Sequence, residues 1–195
     1  ADYKLNAALP EGSMYEYLWE SNKDHLDDIA IVYFRKHITY RKLFQKIDQC
    51  AKSLTALNIK DGDTVTVQAL TIPQTVVLLY AISKVGAIAN LIYITDTAQS
   101  VNQALIHTES KLYFVLEEVI EQISAALDGT EVENVVLLSL GTEMDFCTRV
   151  AYKIFCKKRR LSYEGNIWTW KQFMHLTPCY CEEVLSDGSR PVAMV

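Results

Sequence analysis

Uncharged hydrophobic runs recur along the chain at the spacing of buried strands. They are Thr64–Leu70, Ala87–Ile92, Leu112–Leu116 and Val135–Leu138. Their apolar character is continuous and does not alternate, which is typical of strands covered on both faces and therefore of a parallel sheet. Amphipathic segments separate the runs, so strand and helix alternate at least three times between Asp63 and Leu140. This alternation predicts an open, doubly wound α/β layer.

The stretch from residue 64 to 91 predicts one complete strand–helix–strand unit. Thr71 and Gln74 have capping-box spacing, and Pro73 suits a first helical turn, so the helix should begin there. Gly86 suits its end. Between these two ends, the helix is predicted to continue through four residues, namely Val76, Leu79, Tyr80 and Ser83. We expect Leu79 to pack against the sheet, so that Leu79→Asp unfolds the domain. The turn lacks the G-x-G-x-x-G pattern of dinucleotide-binding proteins.

Four further helices and one hairpin complete the predicted elements. A capping box at Ser13 and Glu16 begins a short helix, and Thr39 caps a long one with three- and four-residue periodicity. The charges on the outer side of that long helix are interpreted as a solvated face. The remaining predictions are a hairpin over residues 29–39 and helices over Ala98–His107 and Glu118–Leu127.

The predicted fold is therefore α/β, with a doubly wound, mostly parallel sheet flanked by helices and an N-terminal β-hairpin. Residues 1–140 form the N-terminal α/β part. Residues 141–190 form a basic amphipathic insertion and a Trp-containing segment of the same domain, and residues 191–195 begin another strand. No Pro/Gly/Ser-rich linker interrupts residues 1–140, so we expect the hairpin to pack beside the sheet.

Composition narrows the class of protein. The 195 residues are 50% hydrophobic and 22% charged with a net charge of −5, and no apolar run has membrane-spanning length. The first residues have no signal-peptide pattern, so a soluble cytoplasmic protein is expected. The five cysteines are odd in number and contain no C-x-x-C, which disfavours a disulfide framework. A metal site at Cys179, Cys181 and His175 is also disfavoured.

The segment from Phe146 to Tyr163 holds six basic residues and no acidic one. One interpretation is an amphipathic helix around residues 145–160 that contacts anionic lipid weakly or binds a negatively charged ligand. The other, which is favoured, is an exposed insertion whose apolar stripe covers the core. Trp168, Trp170 and Phe173 follow, and we expect these rings to anchor the insertion. Because the cations are not interleaved with the rings, nucleic-acid binding is not predicted.

Candidate catalytic groups do not form a recognisable site in the sequence. The four histidines, His25, His37, His107 and His175, are scattered over different elements. The pairs Asp27–Asp28 and Glu117–Glu118 are adjacent in sequence, so their side chains should point apart and not share a proton. The seven glycines never cluster into a phosphate-binding loop. No catalytic, cofactor-binding or metal-binding residue is assigned.

Short motifs in a fixed order carry a family resemblance. They are Met14–Leu18, Ile38–Leu43, Ile59–Val65, Lys84–Asn90, Thr108–Lys111 and Arg190–Val195. In this order and spacing, the chain resembles the N-terminal part of the adenylate-forming acyl-CoA synthetase and ligase superfamily, also called AMP-binding enzymes. The resemblance covers most of residues 13–140, which correspond to the N-terminal part of the AMP-binding domain. The chain departs from many relatives at Ile72 and Gln74, where Asn and Glu are frequent.

The resemblance implies a parent enzyme that uses ATP and Mg²⁺ to activate a carboxylate, expected to be a fatty acid, as acyl-AMP. A thiol, commonly that of coenzyme A, then accepts the acyl group. In that family a strand such as residues 191–195 leads into the phosphate loop, so the chain is interpreted as truncated just before it. The fragment should be inactive without the remainder of its polypeptide and should bind none of these cofactors tightly. The alternative is a stand-alone α/β interaction module that docks on an acidic partner or anionic membrane through residues 145–160.

Overall fold

A computed structural model describes residues 12–144, 166–177 and 193–194. In chain order, the strands are β1 (Ile29–Tyr33), β2 (Lys36–Thr39), β3 (Thr64–Gln68), β4 (Ile88–Ile92), β5 (Leu112–Leu116), β6 (Asn134–Leu138), β7 (Asn166–Thr169) and β8 (Ala193–Met194). The helices are α1 (Met14–Asn22), α2 (Tyr40–Ala56), α3 (Pro73–Val85), α4 (Ala98–His107), α5 (Ile123–Ala126) and α6 (Trp170–Phe173), with 3-10 helices at Glu117–Gln122 and Leu140–Glu143.

Strands β3 to β8 form one parallel sheet in the order β7-β6-β5-β3-β4-β8, and β1 and β2 form a separate antiparallel hairpin. The predicted α/β class, parallel sheet and hairpin are confirmed. The four predicted strands are present, with ends that shift by at most two residues. The strand expected within residues 191–195 is present as β8, beside β4.

Helices cover both faces of the sheet, which explains why its strands are apolar without alternation. On β5, Leu112, Phe114 and Leu116 pack into a cluster with residues of α2, α3 and α6. The intervening Tyr113 and Val115 pack into a second cluster with residues of α4 and α5. Every residue of β5 is therefore buried, although successive side chains point to opposite faces. We call these the first and the second face of the sheet.

The predicted caps of α1 and α2 are confirmed, but the capping box predicted for α3 is wrong. Ile72 is the N-cap residue of α3, and its side chain caps nothing, while Pro73 occupies the first turn as expected. The side chain of Gln74 does not reach back to the cap. Its Oε1 accepts a hydrogen bond from the backbone N–H of Ser139 at 3.1 Å, 65 residues away. The Thr75 hydroxyl instead closes the turn by donating to the carbonyl of Leu70 at 2.7 Å.

The buried face of α3 also differs from the prediction. Leu78, Ala81 and Ile82 are fully buried, whereas Leu79 is only partly buried at the margin of the core. The helix is apolar on most of its surface because it packs between the sheet and the helices α1 and α2. Periodicity cannot identify the sheet-facing side of a helix that is covered on more than one side.

The predicted helix over Glu118–Leu127 is likewise corrected. The segment begins as a 3-10 helix, Glu117–Gln122, and only Ile123–Ala126 is α-helical. Its first residue follows β5 directly, which leaves no residue for an N-cap. A 3-10 helix rises about 2.0 Å per residue against 1.5 Å in an α-helix, so it covers more of the sheet's length with the same number of residues.

The Trp-containing segment anchors to the core as expected. Trp170 and Phe173 are buried on the first face, with ring centroids 6.4 and 5.2 Å from that of Phe114. The predicted basic helix around residues 145–160 lies outside the described residues. None of the helices in the described part of the chain is long and apolar enough to cross a bilayer.

Candidate functional site

The carboxyl edge of the sheet contains a topological switch point. Strand β3 leads into α3 on the first face, whereas its neighbour β5 leads towards α5 on the second face. The two connections therefore diverge where β3 and β5 end. Ligands of open α/β sheets bind in the crevice formed at such points. This edge is the candidate functional site.

Gln68 connects the end of β3 to the residue that follows β4 and to a tyrosine side chain of β5. It is the last residue of β3, and its buried side chain donates from Nε2 to the carbonyl of Tyr93 after β4 at 2.8 Å. The hydroxyl of Tyr113 on β5 donates to its Oε1. Burial raises the pKa of Tyr113, and the nearby charge of Asp96 acts in the same direction, so this hydroxyl remains a donor at neutral pH. The amide thus fixes the strand ends with both of its polar atoms.

Gln74 joins the same edge to the end of β6. Its Oε1 accepts from the Ser139 backbone, while its Nε2 is buried without a hydrogen-bond partner among the described residues. Since the Ser139 N–H is a donor, the atom facing it must be the oxygen, which settles the orientation of the amide. The first turn of α3 has no side-chain cap, so its N–H groups present the positive end of the helix dipole here.

Apolar side chains border these polar groups. Leu70 and Tyr93, which follow the adjacent strands β3 and β4, are 43% and 68% exposed. The turn that carries Tyr93 is held by its own N–H, which donates to Oδ2 of Asp96 at 3.1 Å. The edge therefore combines fixed amide groups with an apolar border, an arrangement able to bind and orient a ligand that has both polar and apolar parts.

The described residues offer no metal-binding cluster at this edge. Within residues 12–144 and 166–177, no group of three or more His, Cys, Asp or Glu side chains could hold a metal ion. Cys50 is fully buried in the core, and burial raises the pKa of its thiol, which makes it a poor nucleophile. Cys179 and Cys181 lie outside the described residues.

Of the carboxylate pairs singled out in the sequence, Glu117 and Glu118 directly follow β5 at this edge, whereas Asp27 and Asp28 precede the hairpin. None of the four histidines directly follows a strand of the sheet. Asp27 accepts two hydrogen bonds from Arg41, each 3.0 Å long, and this partner lowers the pKa of Asp27. Asp28 lies instead 3.5 Å from His25 at an exposed position. The two aspartates therefore have separate partners, as expected, and do not form a dyad.

Two of the family-like motifs meet at the opposite end of α3. Lys84 Nζ lies 2.8 Å from Asp48 Oδ1, 3.1 Å from the Tyr15 hydroxyl and 4.3 Å from the centre of the Tyr15 ring. These contacts join α1, α2 and α3, so the motifs at residues 14–18 and 84–90 have a structural role.

A buried polar cluster links the motifs at residues 84–90 and 108–111. On the second face, the Thr66 hydroxyl is 2.6 Å from that of Ser110 and accepts from Asn90 Nδ2 at 3.0 Å. Thr66 and Asn90 are register partners of β3 and β4. Because each group is hydrogen-bonded, the cluster favours this strand register over its alternatives.

Sequence reasoning missed Gln68 and misassigned Gln74. Gln68 had one available signal, since it is a polar residue in the middle of the uncharged run Thr64–Leu70. A buried glutamine at a strand end must find hydrogen-bond partners, which suggests a position where several chain segments meet. Nothing local pointed to Ser139 as the partner of Gln74.

The chain is similar in sequence to one protein family and to several CoA ligases. A family model described as AMP-binding enzyme matches residues 18–173. Trans-cinnamate:CoA ligase, a peroxisomal protein of Petunia hybrida, is 30% identical over 180 residues, which are 91% of this chain and 31% of that protein. A 2-methylpropanoate–CoA ligase of Humulus lupulus is 26% identical over 144 residues, 72% of this chain and 26% of that protein.

A solved structure shares the fold. The crystal structure of an anthranilate CoA ligase in complex with anthranoyl-AMP superposes with a TM-score of 0.69 at 18% identity, covering 92% of this chain and 31% of that one. The chain thus spans between a quarter and a third of the length of the curated relatives named above.

Proposed function

The chain belongs to the AMP-binding enzyme family, and on that premise we propose that it is the N-terminal part of an AMP-forming acid–thiol ligase. The observation that carries this proposal is the family match over residues 18–173, which spans the parallel sheet from β3 to β7 together with its helices. In the proposed reaction a carboxylate attacks the α-phosphorus of ATP, and pyrophosphate leaves with the electrons of the broken P–O bond. The thiol of coenzyme A then attacks the acyl carbon, and AMP leaves.

The described residues contribute the framework of this reaction. ATP with Mg²⁺ would supply the activating adenylyl group, and coenzyme A would supply the acceptor thiol. The glycines lie far apart in sequence, and the proposal therefore places the phosphate site outside the described residues. Gln68 and Gln74 hold the strand ends in place, and β8 directs the chain towards the same edge beside β4. The phosphate loop and the catalytic lysine belong, in this proposal, to sequence after Val195.

The class of acyl substrate is a separate part of the proposal. A fatty acid was expected from the resemblance, whereas the relatives named above are ligases of cinnamate, 2-methylpropanoate and anthranilate by their names. The apolar border at Leu70 and Tyr93 is compatible with either kind of acid. Residence in the cytosol and the division into segments 1–140, 141–190 and 191–195 remain parts of the same proposal.

Exchange of labelled pyrophosphate into ATP tests the proposal. Two proteins are compared, the 195-residue chain and the product of its complete reading frame, with Mg²⁺ and a panel of aromatic, short branched and long-chain acids. We expect exchange above the blank for at least one acid with the complete product and none with the chain alone. The proposal places the oriented phosphate donors in sequence after Val195, and losing even one such donor costs about 10² to 10³ in rate.

Two results would contradict the proposal. Exchange catalysed by the 195-residue chain alone would mean that its own residues build an adenylation site. A reading frame that stops after Val195 would favour the stand-alone interaction module instead.

A further inference from the structure

The tip of the β1–β2 hairpin exposes apolar side chains on a strained backbone. Val32 and Phe34 are 61% and 56% exposed. Phe34 has a φ of +52°, in the left-handed region that disfavours bulky side chains, and hairpin turns with such angles usually contain Asn, Asp or Gly. A phenylalanine therefore occupies this turn at a conformational cost, although more than half of its side chain is exposed.

The same hairpin lies in a segment of one charge sign. Residues 29–47 contain five basic residues and no carboxylate, although the whole chain has a net charge of −5. Arg41 pairs with Asp27 just before β1. Arg35 and His37 are exposed directly after Phe34, so the apolar tip is bordered by basic side chains.

An exposed aromatic residue on α1 provides a contrast. Tyr17 is 60% exposed, nearly as much as Phe34. It lies beside Glu16 in sequence and one helical turn from Glu20, so its surroundings are acidic. The two surfaces are matched in aromatic exposure and opposite in charge.

We propose that the hairpin tip, defined as Val32, Phe34, Arg35 and His37, docks on the surface of an anionic lipid bilayer. The ring of Phe34 and the side chain of Val32 enter the interface, while Arg35 approaches lipid phosphates and carboxylates. The Tyr33 ring, in edge-to-face contact with Phe34 at 4.8 Å, orients the inserted ring. This inference goes beyond the proposed ligase activity and does not depend on it.

The charges favour a bilayer over a second copy of the chain. A symmetric contact between two tips would bring Arg35 near its own counterpart, and like charges at an interface oppose association. An anionic bilayer offers the opposite charge together with an apolar layer.

Vesicle sedimentation tests the proposal with the 195-residue chain. Vesicles of phosphatidylcholine alone are compared with vesicles that also contain phosphatidylserine, at low and high salt. We expect binding only with phosphatidylserine, and we expect the bound fraction to decrease at high salt.

Phe34→Asn should lower the partition constant about tenfold, because it removes the inserted ring. The folded state should persist, since Asn tolerates a positive φ. Val32→Thr is a second variant that keeps a residue suited to strands.

Tyr17→Ser is the matched control and should leave binding unchanged. Equal binding to both kinds of vesicle would overturn the proposal, as would equal losses from Tyr17→Ser and Phe34→Asn. Binding that requires phosphatidylserine but survives both hairpin substitutions would assign the membrane surface to other basic residues, such as those of segment 146–163, and would also overturn it. Self-association in sedimentation velocity that Phe34→Asn abolishes would identify a second copy as the occupant instead.

Discussion

At the scale of single residues, two glutamines determine the geometry of the carboxyl edge. Gln68 and Gln74 are 3% and 2% exposed, and each connects chain segments that are distant in sequence. Gln68 satisfies both of its polar atoms, whereas among the described residues Gln74 finds a partner for its oxygen alone. Burying an amide is unfavourable unless it is hydrogen-bonded, so the contact with Ser139 is what stabilises Gln74 in this position.

Replacing Gln74 with Met should lower the free energy of unfolding by about 1 to 3 kcal/mol. The apolar side chain leaves the half-buried Ser139 N–H without its acceptor, and an unpaired donor costs up to about that much. Gln103→Met is the control, because Gln103 is exposed on α4, and its substitution should change stability by less than about 0.5 kcal/mol. Urea denaturation of both variants gives the comparison. Equal stabilities would show that the Gln74 contact contributes nothing.

At the scale of elements, α3 occupies the centre of the packing on the first face. It contacts the sheet on one side and the helices α1 and α2 on the others, and Lys84 joins all three helices near its C-terminus. The helix ends at Gly86, whose φ of +82° favours glycine, and a Cβ at Gly86 would come within 2.4 Å of Asp61 Oδ1. Position 86 therefore requires glycine for both conformation and space.

Leu78→Asp should abolish cooperative unfolding, whereas Leu79→Asp should leave a folded but less stable protein. Leu78 is completely buried, and an unpaired buried carboxylate costs several kcal/mol against a typical domain stability of about 5 to 15 kcal/mol. The Leu79 side chain is only partly buried, so a carboxylate there retains contact with water. Thermal melts followed by circular dichroism distinguish the two. The reverse order of severity would mean that the buried side of α3 is assigned incorrectly.

At the scale of the whole molecule, the sheet is most deeply buried at its centre. Strand β5 lies between β3 and β6 and has no exposed residue, whereas the hairpin is paired only with itself and exposes Ile29, Val32 and Phe34. Local opening is easiest where few apolar contacts hold the backbone.

Amide hydrogen exchange should therefore be slowest in β5 and β3 and faster in the β1–β2 hairpin. Opening the central strands requires disruption of both hydrophobic clusters, while the hairpin can open alone. Mass spectrometry of peptides from each element gives the order. Equal protection of the hairpin and β5 would indicate that the chain unfolds as one unit without local opening.

Local patterns in the sequence determined where the strands lie and where several helices begin. The runs at β3, β4, β5 and β6 are apolar because both faces of the sheet are covered, and the caps at Ser13 and Thr39 act within three residues. Such features depend on neighbours in sequence and are visible without a structure.

Only the tertiary structure decided the strand order, the buried side of α3 and the role of Gln74. Strand order depends on pairings between segments tens of residues apart, and the 3.6-residue period does not distinguish the sides of a helix covered on several of them. Gln74 has the sequence spacing of a capping residue, but its side-chain oxygen accepts a hydrogen bond from the backbone N–H of Ser139, which follows β6. A buried amide is stabilised by whichever partner folding brings within hydrogen-bond distance, and that partner is set by packing and not by proximity in sequence.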